Sequence, residues 1–190
     1  MKYLAIAALA LLTACGGTNK KAEQIKKDEP LAASKNSSDF NNKFTSLLNS
    51  YYGLKDALAA SNDTLAVSQA KALTASAGNL NLKEAKADSS IIEMADQYIS
   101  SITAEAQALA AEPGLEDKRK SFQMISDNMY DLVRTVHFDK EIVYHQFCPM
   151  AFNDAGAFWL SPSADIKNPY LGKKMLTCGE VKDSIDFRGK

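Results

Sequence analysis

The sequence predicts a mainly α-helical protein, an up-and-down four-helix bundle followed by a small, turn-rich C-terminal lobe. Through the middle of the chain, apolar residues recur at steps of three and four, the period of a helix with one buried face. Beyond Asp139 this period stops, and proline and glycine interrupt the chain at short intervals. With 190 residues and 46% apolar composition, the chain has enough material for one domain with a real core.

The helical bundle is predicted over residues 39–137. Four amphipathic stretches with short connections lie at 40–58, 65–77, 89–111 and about 115–136. Gly78-Asn79 ends the second helix, and Pro113-Gly114 ends the third. Helices of about twenty residues are about 30 Å long, which suits an up-and-down bundle. Met94, Met124 and Met129 are expected to lie in its core or close to it.

The first 14 residues are a predicted signal peptide. A basic start at Lys2 precedes an apolar run over residues 3–12, which is too short to span a bilayer as a mature helix. The run ends in LTAC, which resembles the lipobox of bacterial lipoproteins, whose cysteine is lipidated and follows the cleavage site. The resemblance implies a membrane anchor at Cys15 that faces the periplasm. Because Gly16 follows, it also implies the outer membrane. An ordinary signal peptide with a chance cysteine is the alternative.

Residues 15–38 are predicted to be a flexible tether. They are rich in lysine, glutamate, serine and asparagine, and they contain almost no large apolar side chain. Such a segment buries too little surface to offset the entropy of ordering.

Charge and motifs exclude several functions. The chain has 22 basic and 23 acidic residues, a balance that provides no basic face for nucleic acid. It contains no glycine-rich phosphate loop, no Gly-x-Ser-x-Gly elbow, no His-Glu-x-x-His and no Cys-x-x-Cys-His. We therefore predict neither an enzyme nor a nucleic-acid-binding protein.

The C-terminal lobe, residues 138–190, contains the candidate site. Cys148-Pro149-Met150 and Met175-Leu-Thr-Cys178 place a thiol beside a thioether twice. Proline extends the first segment, so that its two sulfur atoms lie close together along a stiff arm. On one helical turn, the three-residue spacing of the second segment places both sulfur atoms on one face. His145 reaches the same point if its segment bends. These five side chains are the predicted metal ligands.

Thiolate and thioether are soft donors, and this combination determines the predicted cargo. Structural zinc sites use cysteine and histidine but seldom methionine, whereas a site that adds methionine favours Cu(I) and, by the same softness, Ag(I). With two or three sulfur donors, a monovalent ion stays accessible to exchange. The residues therefore predict a protein that sequesters or transfers Cu(I) or Ag(I).

Several motifs together resemble a bacterial periplasmic domain of poorly defined function. They are HQFCPMA at 145–151, WLS at 159–161, IKNPYLG at 166–172 and MLTCG at 175–179. Helices 40–136 resemble its N-terminal portion. That family occurs as lipoproteins and fused to copper and silver efflux adaptor proteins. The resemblance implies heavy-metal handling beside such an adaptor, with Cys148, Met150, Met175 and Cys178 as ligands and His145 as a further candidate.

A Cys148–Cys178 disulfide is the main alternative. The predicted export places the chain in an oxidising compartment, and an even pair of cysteines remains once Cys15 is lipidated. Closing a loop of about thirty residues stabilises a fold by about 3 kcal/mol. In that case the protein is a non-catalytic structural or protein-interaction module, and Met150 and Met175 only fill the core. Catalysis through Cys148 is a third hypothesis, disfavoured because neither histidine has an evident orienting acid.

Overall fold

The computed structural model describes residues 34–189, and within them the chain is a bundle of four long helices followed by a small lobe that contains strands. This confirms the predicted fold class. The predicted signal peptide (1–14), Cys15 and most of the tether lie outside the described residues. The elements are α1 (Ser38–Ala59), α2 (Asp63–Gly78), α3 (Ser89–Ala111), α4 (Leu115–Thr135), β1 (Val143–Cys148), β2 (Ala157–Ser161) and β3 (Glu180–Ile185), with 3-10 turns at Leu82–Ala85 and Gly172–Lys174.

Helix α1 begins at Ser38, one residue before the predicted boundary of the bundle. The side chain of Ser37 caps it by accepting a hydrogen bond from the Phe40 amide at 3.0 Å. Just before the cap, the Asn36 side chain donates to the Val136 carbonyl at 2.9 Å, beyond the end of α4. The last residues of the predicted tether are therefore bound to the bundle.

The helices pack against one another in chain order. Asn62 caps α2 by accepting a hydrogen bond from the Leu65 amide at 3.0 Å. The buried faces of α2 and α3 consist largely of small side chains, which permit neighbouring helices to approach closely. The buried residues are Ala66, Ala70, Leu73 and Ala77 on α2, and Ala95, Ile102, Ala106 and Leu109 on α3.

Tyr51 on α1 joins the bundle to the lobe. Its ring stacks on Phe122 of α4 with centroids 5.3 Å apart. Its hydroxyl lies 2.8 Å from the Ser126 hydroxyl and accepts a hydrogen bond from the Leu160 amide of β2 at 2.9 Å. Because all these groups are buried, α1, α4 and the sheet share one core.

The lobe contains a three-stranded antiparallel sheet in the order β2-β1-β3. In the β1–β2 hairpin, Cys148 lies opposite Ala157 and Gln146 opposite Trp159. A register irregularity follows His145 where β1 pairs with β3. Strand β2 packs on α4, whereas β3 is exposed along nearly its whole length.

The outward faces of α3 and α4 carry two methionines that the sequence placed in the core or close to it. Met94 is 43% exposed and Met124 is 49% exposed, whereas Met129 is fully buried. The expectation of core packing is therefore wrong for the first two, because a methionine near the edge of an apolar stripe tolerates either environment. Within residues 34–189, none of the helices combines the length and the hydropathy that a membrane span requires.

Candidate functional site

The thiols of Cys148 and Cys178 meet in the lobe. Their sulfur atoms lie 2.8 Å apart, although the residues are thirty positions apart in the chain, and both cysteines are free. Cys148 is fully buried at the end of β1, whereas Cys178 is half-buried in the loop before β3. The structure therefore brings together the two thiols that the sequence selected.

The two thiols share a hydrogen bond, and this bond affects the titration of Cys178. The hydrogen bond with Cys148 raises the pKa of Cys178 to about 11, and partial burial acts in the same direction. A backbone hydrogen bond from Met150 to the Cys178 sulfur opposes the increase in this pKa. At neutral pH Cys178 therefore keeps its proton, and an ion that binds its sulfur must displace that proton.

The distance between the sulfur atoms lies between the values required by two kinds of bonding. Two sulfur atoms that bind one tetrahedral ion through bonds of about 2.3 Å lie about 3.8 Å apart. In a disulfide the separation is about 2.05 Å. The present distance is 2.8 Å. A movement of the Cys178 loop by about 1 Å away from Cys148 makes room for an ion, and a movement of slightly less than about 1 Å toward it allows a disulfide.

Asn168 organises the loop that carries Cys178. Its buried side-chain amide donates to the Cys178 carbonyl at 2.7 Å, and its side-chain oxygen accepts hydrogen bonds from the Tyr170 and Leu171 amides at 2.8 and 2.9 Å. Its own backbone amide donates to the Leu176 carbonyl at 2.8 Å. The sequence alone gives no signal for this role, because the bond of Asn168 to the Cys178 carbonyl depends on how the loop closes.

Gly179 lets the chain pass close to the lobe core immediately after Cys178. Its φ is +142°, and a Cβ atom there would lie 2.8 Å from Cη2 of Trp159 and 2.9 Å from the Phe147 carbonyl oxygen. Trp159 is fully buried, and its ring contacts that of Tyr170 edge-on at 6.0 Å. The tryptophan is therefore a core residue that contacts the Cys178 loop at Gly179.

Met150 and Met175 lie on the surface of the lobe. Their side chains are 45% and 41% exposed, so neither methionine fills the core. Their main chains nevertheless contact the site, because the Met150 amide bonds to the Cys178 sulfur and the Met175 carbonyl accepts from the Cys178 amide at 3.0 Å. The thioethers are therefore attached next to the thiols, and their exposed side chains have room to change rotamer.

An unusual left-handed turn follows the Cys148 segment. Phe152, Asn153 and Asp154 have φ values of 51°, 56° and 66°, a conformation that costs most non-glycine residues roughly 1–2 kcal/mol each. The Phe152 ring lies 5.3 Å from that of Tyr170, which holds the turn against the core. The Asn-Asp pair was the available sequence signal, since these residue types tolerate left-handed geometry best after glycine.

The structure does not bring His145 to the thiols. Its ring lies between those of Tyr130 on α4 and Phe158 on β2, with centroid distances of 4.0 and 4.5 Å. Phe147 also contacts Phe158 at 4.5 Å, so His145 and Phe147 lie on one face of β1. Cys148, the next residue, points to the other face because side chains alternate along a strand.

Its surroundings also keep His145 neutral. Burial lowers the pKa of His145 to about 4, and the positive charge of Arg134 acts in the same direction. The carboxylate of Asp183 only partly opposes this decrease. The imidazole therefore serves as a stacked ring between the sheet and α4.

The donors at the thiol pair are sulfur atoms. Elsewhere in the described part of the chain, no group of three or more histidine, cysteine, aspartate or glutamate side chains is placed to hold a metal ion. The two thiols are therefore the ligands available to an ion at this site, and two thioethers lie on adjoining segments.

The comparisons with known proteins identify one family. Residues 47–141 match the family described as a protein of unknown function, DUF3347. No curated protein and no solved structure was found to match the chain. The matched residues extend from the middle of α1 to just before β1, so they include most of the bundle and exclude both thiols. The family match agrees with the expected domain of poorly defined function. The occurrence of this domain in lipoproteins and its link to efflux adaptors stay predictions. Since the match covers half of its residues, the chain belongs to the DUF3347 family.

Proposed function

We propose that this protein binds Cu(I) or Ag(I) through Cys148 and Cys178 and transfers the ion to a heavy-metal efflux adaptor. In this proposal it is a periplasm-facing lipoprotein, anchored through Cys15, and the ion is its cargo. The observation that carries the proposal is the 2.8 Å approach of two thiols from distant segments, each with an exposed methionine on the same segment.

The chemistry of this pair suits a soft monovalent ion. Binding as a dithiolate forms two metal–sulfur bonds and releases two thiol protons to water. Because the pKa of Cys178 is raised to about 11, protons compete with the ion, and we expect the apparent affinity to increase with pH. Met150 and Met175 carry no proton to displace, so in this proposal their thioethers complete the coordination without competition from protons.

The partial exposure of the pair favours transfer. Cys148 is buried, whereas Cys178 and the two methionines reach the surface. An acceptor can therefore approach the ion from the Cys178 side and replace one ligand at a time. A fully enclosed site would favour storage instead.

Titration of the reduced protein with Cu(I) against a competing chelator tests the proposal. We expect one ion per chain, with affinity reduced more than about a hundredfold in the C148S/C178S double variant. The M150L/M175L variant should lose about tenfold. M94L/M124L is the matched control, since those methionines are equally exposed but lie on the helices. An affinity that the cysteine substitutions leave unchanged would rule out the proposed site.

A disulfide-linked interaction module is the second candidate. The 2.8 Å separation also suits this candidate, because a movement of less than about 1 Å brings the two sulfur atoms to the length of a disulfide bond. The bond would close the loop from Cys148 to Cys178 and stabilise the lobe by about 3 kcal/mol. Thiol counting on freshly isolated protein separates the candidates, since two reactive thiols support the metal site and none supports the disulfide.

A further inference from the structure

We propose that residues 167–178, here called the basic loop, form a docking surface for a protein whose contact surface carries carboxylates beside apolar side chains. Docking at this loop would bring an acceptor to Cys178, so the inference rests on the proposed function. The charge, exposure, rigidity and position of the loop all support it.

Every charged side chain in the loop is a lysine. Lys167, Lys173 and Lys174 are exposed, and the sequence has no acidic residue between Asp165 and Glu180. None of these three lysines forms an ion pair with any residue that the structure describes. The chain as a whole has a net charge of −1, so the loop is a local concentration of positive charge. Such a surface attracts a partner with carboxylates.

Large apolar side chains lie beside these lysines. Met175 is 41% exposed and Leu176 is 42% exposed, and they are the two residues after Lys174 in the chain. Met150, 45% exposed, bonds through its amide to the Cys178 sulfur and adds a third apolar side chain at the thiols. Apolar side chains beside charged groups are typical of protein contact surfaces.

The loop is held in place, so this exposure belongs to a defined surface. Asn168 bonds to the carbonyls of Leu176 and Cys178, and the Met175 amide donates to the Gly172 carbonyl at 3.2 Å. On the bundle side, Arg119 of α4 donates to the Pro169 carbonyl at 2.8 Å. A surface that is ordered before binding loses less entropy on association.

The position of the loop favours a protein over a membrane. A Cβ on Gly172 would meet Ser61 and Arg119, so the loop lies at the end of α1 and the start of α4. The chain enters at the opposite end, where Asn36 bonds to the Val136 carbonyl. Because α1 has 22 residues, these ends are about 33 Å apart. The basic loop therefore lies far from the end at which the predicted anchor joins the bundle.

Fluorescence anisotropy of two labelled peptides tests the docking surface on the reduced, metal-free protein. One peptide alternates glutamate with methionine and leucine, and the other has glutamine in place of glutamate. We expect the acidic peptide to bind at low salt, and K173E/K174E to weaken this binding at least about tenfold. M175S/L176S should also weaken it. Salt at about 0.5 M should abolish it by screening.

K71E/K83E is the control, since it reverses two exposed lysines on other parts of the surface. We expect it to bind the acidic peptide as the wild type does. Failure of the acidic peptide to bind, equal binding of both peptides, or unchanged binding by K173E/K174E would overturn the inference. Binding to vesicles that contain an anionic phospholipid, if K173E/K174E abolishes it, would overturn it in favour of a membrane surface. Since no metal is present, these results do not depend on Cu(I) binding.

Discussion

At the scale of single residues, the two thiols meet in the lobe, whereas His145 packs between the rings of Tyr130 and Phe158. Cys148 and Cys178 were accessible to sequence reasoning because they are the only cysteines beyond Cys15. The position of His145 depends on Tyr130, which reaches it from another element. A tertiary contact of this kind leaves no local pattern in the sequence, and the three-residue spacing from His145 to Cys148 was therefore misleading.

His145 should make the stability of the protein depend on pH. The pKa of this imidazole is about 4 in the folded protein, whereas its ordinary value is 6.5. As the pH falls, the unfolded chain therefore binds a proton at this imidazole before the folded protein does. The fold keeps its full stability above pH 6.5 and loses this contribution as the pH falls from 6.5 through 4. In H145F, which keeps a ring between Tyr130 and Phe158, we expect a smaller loss of unfolding free energy between pH 7 and pH 4. Allowing for partial exposure, the difference should be about 1 kcal/mol.

Urea unfolding of both proteins at several pH values measures this difference. The other titrating groups act alike in the two proteins, so the comparison isolates His145. The same dependence on pH in wild type and H145F would show that the imidazole does not contribute.

At the scale of elements, the four helices could be predicted, whereas the lobe could be predicted only in outline. The helices follow from apolar periodicity and from recognisable caps such as Asn62. Strand β3 gives no such signal, because it is exposed and lacks the alternation of a half-buried strand. The left-handed turn at Phe152 was also hard to predict, because only the Asn-Asp pair marks it and neither residue type requires left-handed geometry.

Substitution of Gly179 should displace the Cys178 loop. In G179A the new methyl group would meet Trp159 and the Phe147 carbonyl, and the positive φ would strain an alanine. We expect the free energy of unfolding to fall by about 2–4 kcal/mol. The Cu(I) affinity should fall with it, because the residue directly follows Cys178.

G78A provides the matched control for this substitution. Gly78 ends α2, and a Cβ there would have no atom within 4 Å. We expect this variant to be as stable as the wild type or more stable by up to about 1 kcal/mol. Denaturant titration measures both variants, and equal stability of G179A and G78A would contradict the packing described for Gly179.

At the scale of the whole molecule, we expect the bundle and the lobe to unfold as one unit. The sequence divided the chain into residues 39–137 and 138–190. The structure nevertheless joins these parts through Tyr51, which bonds to Leu160, and through Phe122, whose ring lies 5.8 Å from that of Tyr170. Such shared packing is not visible in either segment alone, because each supplies only part of the core.

The only tryptophan provides a direct test of this shared core. Trp159 is buried in the lobe, whereas the far-ultraviolet circular dichroism signal comes mainly from the helices. If the two parts unfold together, thermal transitions observed by tryptophan fluorescence and by circular dichroism should coincide. A fluorescence transition at a clearly lower temperature would show that the lobe unfolds independently.

The proposed function depends on two thiols that bind one ion. X-ray absorption spectroscopy of the one-to-one Cu(I) complex of the reduced protein tests this most directly, because it identifies the atoms around the metal. We expect only sulfur neighbours, at a distance close to the roughly 2.3 Å typical of a metal–thiolate bond. Nitrogen or oxygen neighbours alone, or a spectrum that C148S/C178S does not change, would contradict the assignment.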